Sequence, residues 1–249
     1  MAYVGGKKKC ADHIIEILNM PQFDNMDYLE PFVGYAHVLR RVKNKKSYVG
    51  SDVNALLITL LKNIQIGKHR PFPNITKEQW LKYKNQSSHV LSLNRAIAAF
   101  AYSFRGAEFK SYTHESHGRN YPRERLKYYD ELNSNEIFKK TKLMNCDYRK
   151  LKPKGKLIYC DPPYVNTHGG YNSWAVFDSN EFWEFMRKWS KDNVVYVSET
   201  TAPPDFKCVA QQEKLNFMSP LKAGESRGSR VERLFTYAKV KPTIKPTNK

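Results

Sequence analysis

The sequence predicts an α/β protein with a Rossmann-like, mostly parallel sheet flanked by helices and interrupted by an inserted, mainly helical lobe. Two observations predict the sheet. Strand-like and helix-like segments alternate in the first part of the chain, and strand-like segments return in the last part. A third observation predicts the insertion, because residues 67–140 carry helical spacing and little strand signal.

The first part of the predicted sheet lies before residue 67. Its expected elements, in chain order, are a helix over residues 7–19, a strand over 27–30, a turn at 31–34, a helix over 36–42, a strand over 46–51 and a helix over 56–66. Asp52 ends the second strand. Asn54 is expected to cap the helix after it, because an asparagine side chain accepts a hydrogen bond from a backbone N–H of the first turn.

The remaining chain divides into the lobe and the second part of the sheet. The lobe is expected to contain helices over residues 76–84, 91–104 and 123–133, with an irregular surface segment at 105–121. Strands are expected over residues 142–146, 156–160, 193–198, 207–211 and 233–238, with one helix over 179–191. Asp178 and Glu181 have the spacing of a capping box for that helix. Residues 1–66 and 141–238 are thus expected to form one domain, 67–140 an inserted lobe, and 239–249 a basic, disordered tail.

The composition predicts a polyanionic partner. Forty-two Lys and Arg residues against 24 Asp and Glu residues give a net charge of +18, and 16 Tyr, 13 Phe and 4 Trp are interleaved with them. This mixture is typical of proteins that contact both phosphates and base faces. The sequence lacks a long apolar run and a leader-like N-terminus, so we expect a soluble, cytoplasmic protein. Its four cysteines are far apart, so we expect free thiols and no metal site.

The clearest chemical signal is the segment Asp161-Pro162-Pro163-Tyr164, which directly follows a predicted apolar strand. Open α/β sheets bind ligands at the carboxyl ends of their strands, so this segment is expected at the functional edge. The N6 amine of adenine is a weak nucleophile because its lone pair is delocalised into the ring. The Asp161 carboxylate and the Pro162 carbonyl are suited to accept its two N–H protons, and the Tyr164 ring offers the base a flat face. The alternative reading is a plain turn that ends a strand.

Two further segments are expected at the same edge. Residues 30–34, with the sequence Glu-Pro-Phe-Val-Gly, follow the first strand, and their backbone is suited to approach a ligand closely. They contain one glycine and no GxGxxG fingerprint, which argues against a nicotinamide-dependent enzyme. Asp52 ends the next strand, where a carboxylate is suited to accept both hydroxyls of a ribose.

In this order the motifs resemble the D12, or Dam-like, class of adenine-N6 DNA methyltransferases, and the resemblance covers nearly the whole chain. It implies S-adenosylmethionine as the cofactor, with Lys7 at its carboxylate and Asp147 at its adenine. The implied cofactor-binding residues are Tyr3, Lys7, Glu30, Phe32, Gly34, Asp52, Asp147 and Asp161, and the implied catalytic residues are Asp161, Pro162 and Tyr164. The family loop usually continues Gly-Ala-Gly after its valine, so the bulky Tyr35 is expected to turn away from the cofactor or to stack on it.

The resemblance also implies that the lobe reads DNA. The candidate nucleic-acid contacts are Arg105, Lys110, Tyr112, Arg119, Tyr121, Arg123 and Arg125. Each basic residue is expected to contact a phosphate or face solvent more often than it reads a base. For Tyr112 and Tyr121, packing within the lobe is the commoner role. The predicted function is methyl transfer to a flipped adenine N6 at specific sites in double-stranded DNA, by a monomer that needs no metal. Alternatives left open are adenine in RNA, cytosine N4, a protein glutamine, or a catalytically idle nucleic-acid-binding protein.

Overall fold

A computed structural model describes residues 11–116, 118–163, 177–215 and 229–238. In these ranges the α-helices are α1 (Ala11–Leu18), α2 (Ala55–Gln65), α3 (Lys77–Lys84), α4 (Leu93–Ala101), α5 (Tyr121–Asn133), α6 (Glu136–Lys140) and α7 (Ser179–Trp189). The strands are β1 (Asp27–Glu30), β2 (Ser47–Asp52), β3 (Glu115–Ser116), β4 (Arg119–Asn120), β5 (Lys142–Asn145), β6 (Lys156–Cys160), β7 (Val194–Glu199), β8 (Phe206–Leu215) and β9 (Ser229–Tyr237). Among the described helices, none has the length and apolar character needed to cross a membrane.

Seven of these strands form one sheet in the order β5-β2-β1-β6-β7-β9-β8. The five strands from β5 to β7 are parallel, and β9 runs antiparallel to both of its neighbours. The predicted Rossmann-like, mostly parallel α/β fold is therefore confirmed. From β1 the chain moves outward to β2 and β5, then returns to place β6 on the other side of β1, so the strand order reverses between β1 and β6.

The two faces of the sheet bury different side chains because successive residues of a strand point to opposite sides. Tyr28 and Tyr159 belong to a large hydrophobic cluster with α1, α2, α4 and α5. Their neighbours Leu29 and Ile158 belong to a second cluster with α7. Helices therefore cover both faces, which leaves the ends of the strands as the accessible part of the sheet.

The residues between α2 and β5 form helices α3 to α6 and the short hairpin of β3 and β4. Their buried side chains, including Trp80 and Phe100, lie in the same hydrophobic cluster as β1, β2 and α2. The inserted segment thus packs directly on the sheet domain through α2. Its division from that domain at residues 67 and 140 stays a prediction.

Two local predictions are wrong or incomplete. Residues 36–42 do not form an α-helix: Ala36 has a φ of 56° and Gly34 a φ of 48°, both outside the right-handed helical region. The chain there makes turns and the 3-10 helix Leu39–Arg41. The five-residue helix α6 was not predicted, because it is too short to show a helical period.

The predicted helix caps are largely as expected. The Asn54 side chain accepts a hydrogen bond from the Leu57 N–H at 2.9 Å. The Asp178 carboxylate accepts from the N–H groups of Asn180 and Glu181 at 2.8 and 3.1 Å. The Glu181 carboxylate accepts from Arg149 at 3.3 Å, so this side chain joins α7 to the loop after β5.

Gly50 in β2 carries the first testable consequence of the packing. A Cβ atom at this position would lie 2.9 Å from Val33 Cγ2 and 3.0 Å from Leu39 Cδ1. We expect Gly50→Ala to lower the free energy of unfolding by about 1–3 kcal/mol, because these buried side chains must move to admit the methyl group. Urea unfolding measures the change. A midpoint equal to that of the wild type would show that Val33 and Leu39 move aside without loss of stability.

Candidate active site

Three acidic residues stand at the carboxyl ends of neighbouring strands. β1 ends at Glu30, β2 ends at Asp52, and Asp161 and Pro162 directly follow β6. The strand order reverses between β1 and β6, and open α/β sheets bind ligands in the crevice at such a switch point. The fold therefore brings the predicted catalytic segment and the predicted cofactor loop to one place.

Glu30 is a buried carboxyl group with a fixed position. Its side chain accepts a hydrogen bond from the Tyr28 hydroxyl at 3.0 Å, and the residue is 2 % exposed. Burial raises the pKa of Glu30 well above its usual range, and the nearby charge of Asp161 raises that pKa further. Carboxyl groups that are close together and poorly hydrated favour a cationic ligand, because a positive charge relieves their repulsion.

The loop after β1 is held against the end of β2 by its backbone. The Val33 N–H donates to the Ser51 carbonyl at 2.8 Å, and the Gly34 N–H donates to Asp52 Oδ2 at 3.2 Å. Gly34 has a φ of +48°, and a Cβ atom there would meet no heavy atom within 4 Å. The backbone conformation thus favours glycine, and the position borders open space at the strand ends.

Asp52 has hydrogen-bonding capacity left after it anchors this loop. Its Oδ2 accepts from Gly34, and its Oδ1 accepts from the Asn54 N–H at 2.9 Å. Each carboxylate oxygen has a second lone pair, so the group is suited to accept two hydroxyl protons from a vicinal diol. Burial raises the pKa of Asp52 from 3.8 to about 6, against the lowering effect of the two N–H groups.

This raised pKa predicts a pH-dependent affinity for the cofactor. With a folded-state pKa of about 6, Asp52 is ionised above that pH and gains a proton as the pH falls through it. The neutral carboxylic acid has a proton of its own to donate and accepts fewer hydrogen bonds from a diol. We expect the affinity for S-adenosylmethionine to fall between pH 7 and pH 5.

Isothermal titration calorimetry at a series of pH values measures this effect. Asp52→Asn has no proton to gain in this range and is the matched control. The variant should bind more weakly than the wild type at pH 7 and show a flat profile between pH 7 and pH 5. An equally steep profile in wild type and variant would assign the dependence to another group.

Two further predicted cofactor residues already have partners. The Phe32 ring packs at 5.2 Å from that of Tyr148. The Asp147 carboxylate accepts from Arg149, with 2.5 Å between Oδ2 and Nη2, and this contact lowers the pKa of Asp147. Asp147 is therefore held in its ionised form. A ligand that binds here either displaces the Arg149 guanidinium or contacts the carboxylate beside it.

Tyr35 turns away from the strand ends into the interior. It is 2 % exposed, and its ring packs edge-on against Phe100 at 6.0 Å. The Arg125 guanidinium lies 5.8 Å from the centre of the Tyr35 ring, and Arg125 is 4 % exposed. The prediction of Arg125 as a nucleic-acid contact is corrected by this burial, because a buried guanidinium is not presented to a phosphate.

The other basic candidates of the lobe lie at or near the surface. Lys110 and Arg123 are exposed. Arg119 forms a two-pronged pair with Glu124, at 2.8 and 2.6 Å, and its guanidinium lies 5.2 Å from the centre of the Tyr121 ring. Sequence reasoning treated these residues singly and missed this acidic partner.

Arg105 has an unusual backbone. Its φ of 56° places it in the left-handed region, which is uncommon for a residue other than glycine. Its guanidinium lies 5.2 Å from the centre of the ring of Phe104, a large aromatic residue that is 39 % exposed. Sequence analysis assigned Phe104 to a helix end and missed its exposure, although an aromatic residue beside an arginine was a signal.

Glu108 is a second residue that sequence reasoning missed. Its Oε2 accepts from Asn54 Nδ2 at 2.7 Å, and the Asn54 N–H donates to Asp52. This chain of hydrogen bonds joins the end of β2 to the segment that carries Arg105. Nothing in the sequence signals it, because the bond joins residues 54 positions apart.

Some predicted residues lie outside the described ranges. These are Tyr3, Lys7, Tyr164 and the tail at 239–249, and their assignments stay predictions. In the described ranges, no group of three or more histidine, cysteine or acidic side chains is arranged to hold a metal ion.

Comparison with known proteins identifies the family of the chain. The sequence model of the D12 class N6 adenine-specific DNA methyltransferases matches residues 3–215. The chain belongs to this family. No curated protein sequence matches the methyltransferase closely enough to count as a relative.

Solved structures similar to the methyltransferase include other methyltransferases. The rRNA methyltransferase aviRa from Streptomyces viridochromogenes is 12 % identical with a TM-score of 0.42, and the alignment covers 95 % of this chain and 87 % of that one. Precorrin-6y C5,15-methyltransferase from Geobacter metallireducens is 8 % identical with a TM-score of 0.37, and the alignment covers 93 % and 90 %. Similarity at this level does not bear on the substrate.

The family implies S-adenosylmethionine as the methyl donor, and the strand ends fit it. Asp52 has acceptor capacity for the ribose hydroxyls, and Gly34 borders space that a side chain would fill. The buried Glu30 carboxyl group has a raised pKa beside Asp161, and a bound sulfonium cation would favour its ionised form. Glu30 and Gly34 belong to the end of β1 and the loop after it, Asp52 ends β2, and Asp161 follows β6, so these features of the methyltransferase come from three neighbouring strand ends.

Proposed function

We propose that the methyltransferase transfers a methyl group to the N6 amine of an adenine in double-stranded DNA, at specific sites. The position of Asp161 and Pro162 carries this proposal. They directly follow β6 at the switch point, beside Glu30 of β1. An acidic group and a backbone carbonyl thereby stand beside the strand ends that we propose hold the methyl donor.

The two residues act on the amine through hydrogen bonds. Asp161 accepts one N–H of the amine and the Pro162 carbonyl accepts the other, which directs the nitrogen lone pair away from both. Pro162 is buried, its ring fixes its φ and the following Pro163 restricts its ψ, so its carbonyl is held before the substrate arrives. Tyr164 is proposed to support the base from one face, as the family resemblance implies.

Asp161 and Glu30 would attract the positive charge of a bound sulfonium, which would in turn favour the ionised form of Glu30. S-adenosylmethionine, when bound, supplies a methyl group on a positively charged sulfur. Tyr28 holds the Glu30 carboxyl group at 3.0 Å, so its position does not depend on the ligand. No strong base is required, because the N6 proton becomes acidic as the nitrogen acquires the methyl group, and alignment contributes the main part of the rate. Asp161 already accepts that proton in a hydrogen bond and assists its departure.

The inserted segment is proposed to hold the DNA. The net charge of +18 favours a polyanion, and Arg105, Lys110, Arg119 and Arg123 stand on the same segment between α4 and the first turns of α5. The target adenine must leave the duplex to reach a site at the strand ends, at a cost of a few kcal/mol. A monomer with a sheet domain and an inserted recognition lobe is part of the same proposal.

Methylation assays on defined polymers test the substrate. The protein is incubated with methyl-labelled S-adenosylmethionine and with duplex DNA, single-stranded DNA or RNA, and the labelled nucleosides are identified by mass spectrometry. We expect N6-methyldeoxyadenosine from duplex DNA. Label found only in RNA would contradict the proposed polymer, and label at cytosine N4 would contradict the proposed acceptor. If the protein binds the cofactor but labels none of the three polymers, the result would contradict the proposal and favour a nucleic-acid-binding protein without methyltransferase activity.

A further inference from the structure

An aromatic cavity lies in the inserted segment. Its volume is about 350 Å³, within the range of small-ligand sites, and its described lining is formed by Phe104, Tyr112, Thr113, His114, Glu115 and Tyr121. All six residues belong to the segment that joins α4 to α5 and to the first residue of α5. The described lining therefore shares no residue with the strand-end site of Glu30, Asp52 and Asp161.

Tyr112, one of the lining residues, is held in place by the rings stacked behind it. The rings of Phe72, Tyr102 and Tyr112 stack in nearly parallel orientation, with centroid distances of 6.2 and 6.3 Å and interplanar angles of 17° and 14°. The Tyr102 hydroxyl donates to the Pro73 carbonyl at 2.8 Å, and the Tyr112 hydroxyl donates to the Ile75 carbonyl at 3.0 Å. Because the rings are already held in place, a flat ligand loses little binding energy to their ordering.

The mouth of the cavity presents an aromatic surface beside positive charge. Phe104 is 39 % exposed, and the Arg105 guanidinium lies 5.2 Å from its ring centre. The Arg119 guanidinium lies 5.2 Å from the ring centre of Tyr121 and is paired with Glu124, so Arg105 is the better partner for a phosphate. Aromatic rings paired with guanidinium groups are suited to a nucleotide, since the base stacks and the phosphate meets the cation.

Glu115 places a carboxylate in the lining of the cavity, and this group favours a base over a phosphate. Its side chain is exposed, and its Oε1 accepts from Asn120 Nδ2 at 2.8 Å, so the carboxylate retains lone pairs for a further donor. A carboxylate repels phosphate and accepts hydrogen bonds from an exocyclic amine. The cavity therefore favours a base that carries an amine, and Arg105 and the exposed Lys110 of the same segment favour the phosphates of that strand.

We propose that this cavity binds one unpaired nucleobase with an exocyclic amine, separate from the base that is methylated. The proposal rests on the proposed function, because it takes the nucleic acid that is methylated as the ligand. Its consequence is that the protein engages a substrate strand at two points, the strand ends of the sheet and the cavity of the inserted segment.

Binding of fluorescent probes tests this proposal. The probes are DNA duplexes with one bulged 2-aminopurine, the same duplexes without the bulge, and the matching RNA duplexes. We expect the bulged probe to bind more tightly than the paired one and to lose fluorescence on binding, because the base stacks on the cavity wall. Phe104→Ala should weaken binding of the bulged probe by about tenfold. Phe104→Trp should retain it.

The control is Leu81→Ala in α3, which truncates an apolar side chain of similar exposure, 43 %, outside the described lining of the cavity. It should bind every probe as the wild type does, and thermal unfolding should show that the Phe104 variants are folded. Glu115→Gln should reduce the preference for a bulged cytosine over a bulged thymine. Equal binding of bulged and paired probes by the wild type, or no loss in Phe104→Ala, would overturn the proposal.

The outcomes separate this proposal from the proposed function. Bulge binding that depends on Phe104, in a protein that methylates no polymer, would support the cavity and contradict the proposed function. Methylation of adenine by a protein whose Phe104→Ala variant binds every probe normally would do the reverse. Tighter binding of the bulged RNA probe than of the bulged DNA probe would identify RNA as the source of the base.

Discussion

Replacing Asp161 by alanine is expected to lower the rate of methyl transfer on the order of 10²- to 10³-fold, the range found when one positioned polar group of a reacting centre is removed. The amine then retains only the Pro162 carbonyl as an acceptor, so its lone pair is no longer directed toward the methyl group. The substitution also removes a negative charge that raises the pKa of Glu30. We expect the rate of methyl transfer to fall with little change in the affinity for DNA, because the DNA is proposed to be held by the inserted segment.

Single-turnover assays and DNA-binding titrations measure these two quantities separately. Asp161→Asn keeps the shape of the side chain and one acceptor, so its rate should lie between those of the wild type and the alanine variant. Asp12→Asn is the control, since Asp12 is an exposed carboxylate in α1 that pairs with Arg41 at 2.6 Å. A wild-type rate in Asp161→Ala would remove Asp161 from the reaction.

The sheet could be predicted from the sequence because strand-like segments alternate with helix-like segments before residue 67 and return after residue 140. β1, β2 and β6 lie within a residue of their predicted bounds, and Asn54 caps α2 as expected. The helix predicted over residues 36–42 failed for a local reason. Its apolar spacing is that of a helix, but Ala36 adopts a φ of 56° at a position where the family loop usually has glycine. A residue in this left-handed conformation cannot be part of a right-handed α-helix.

The candidate site was predictable in part, because carboxyl ends of parallel strands meet at one edge. Glu30, Asp52 and Asp161 follow from that rule. The fate of a basic residue does not follow, because the sequence does not show what covers it. Arg125 and the exposed Arg123 stand in similar local sequence. They are two residues apart in α5 and so point to opposite sides of the helix, which places Arg125 against the ring of Tyr35. Contacts between distant residues, such as Asn54 with Glu108, are likewise determined by packing alone.

Replacing Gly34 by leucine is expected to lower kcat/KM for the methyl donor by about 10²-fold, as small displacements of a reacting group do. Two effects are combined in this substitution. The φ of +48° costs a residue with a Cβ about 1–2 kcal/mol, and the leucine side chain enters space that is open in the structure. If that space holds the cofactor, the second effect prevents binding, and calorimetry should detect little or no heat of cofactor binding.

Gly155→Leu separates the two effects. Gly155 has a φ of +66°, and a Cβ atom there also meets nothing within 4 Å. It precedes Lys156, the first residue of β6, and so stands at the amino end of a strand whose carboxyl end carries Asp161. The two variants should therefore lose similar stability on thermal unfolding, while only Gly34→Leu loses cofactor binding. Equal cofactor binding by both variants would place the methyl donor elsewhere, because backbone strain and side-chain bulk are matched and only the end of the sheet differs.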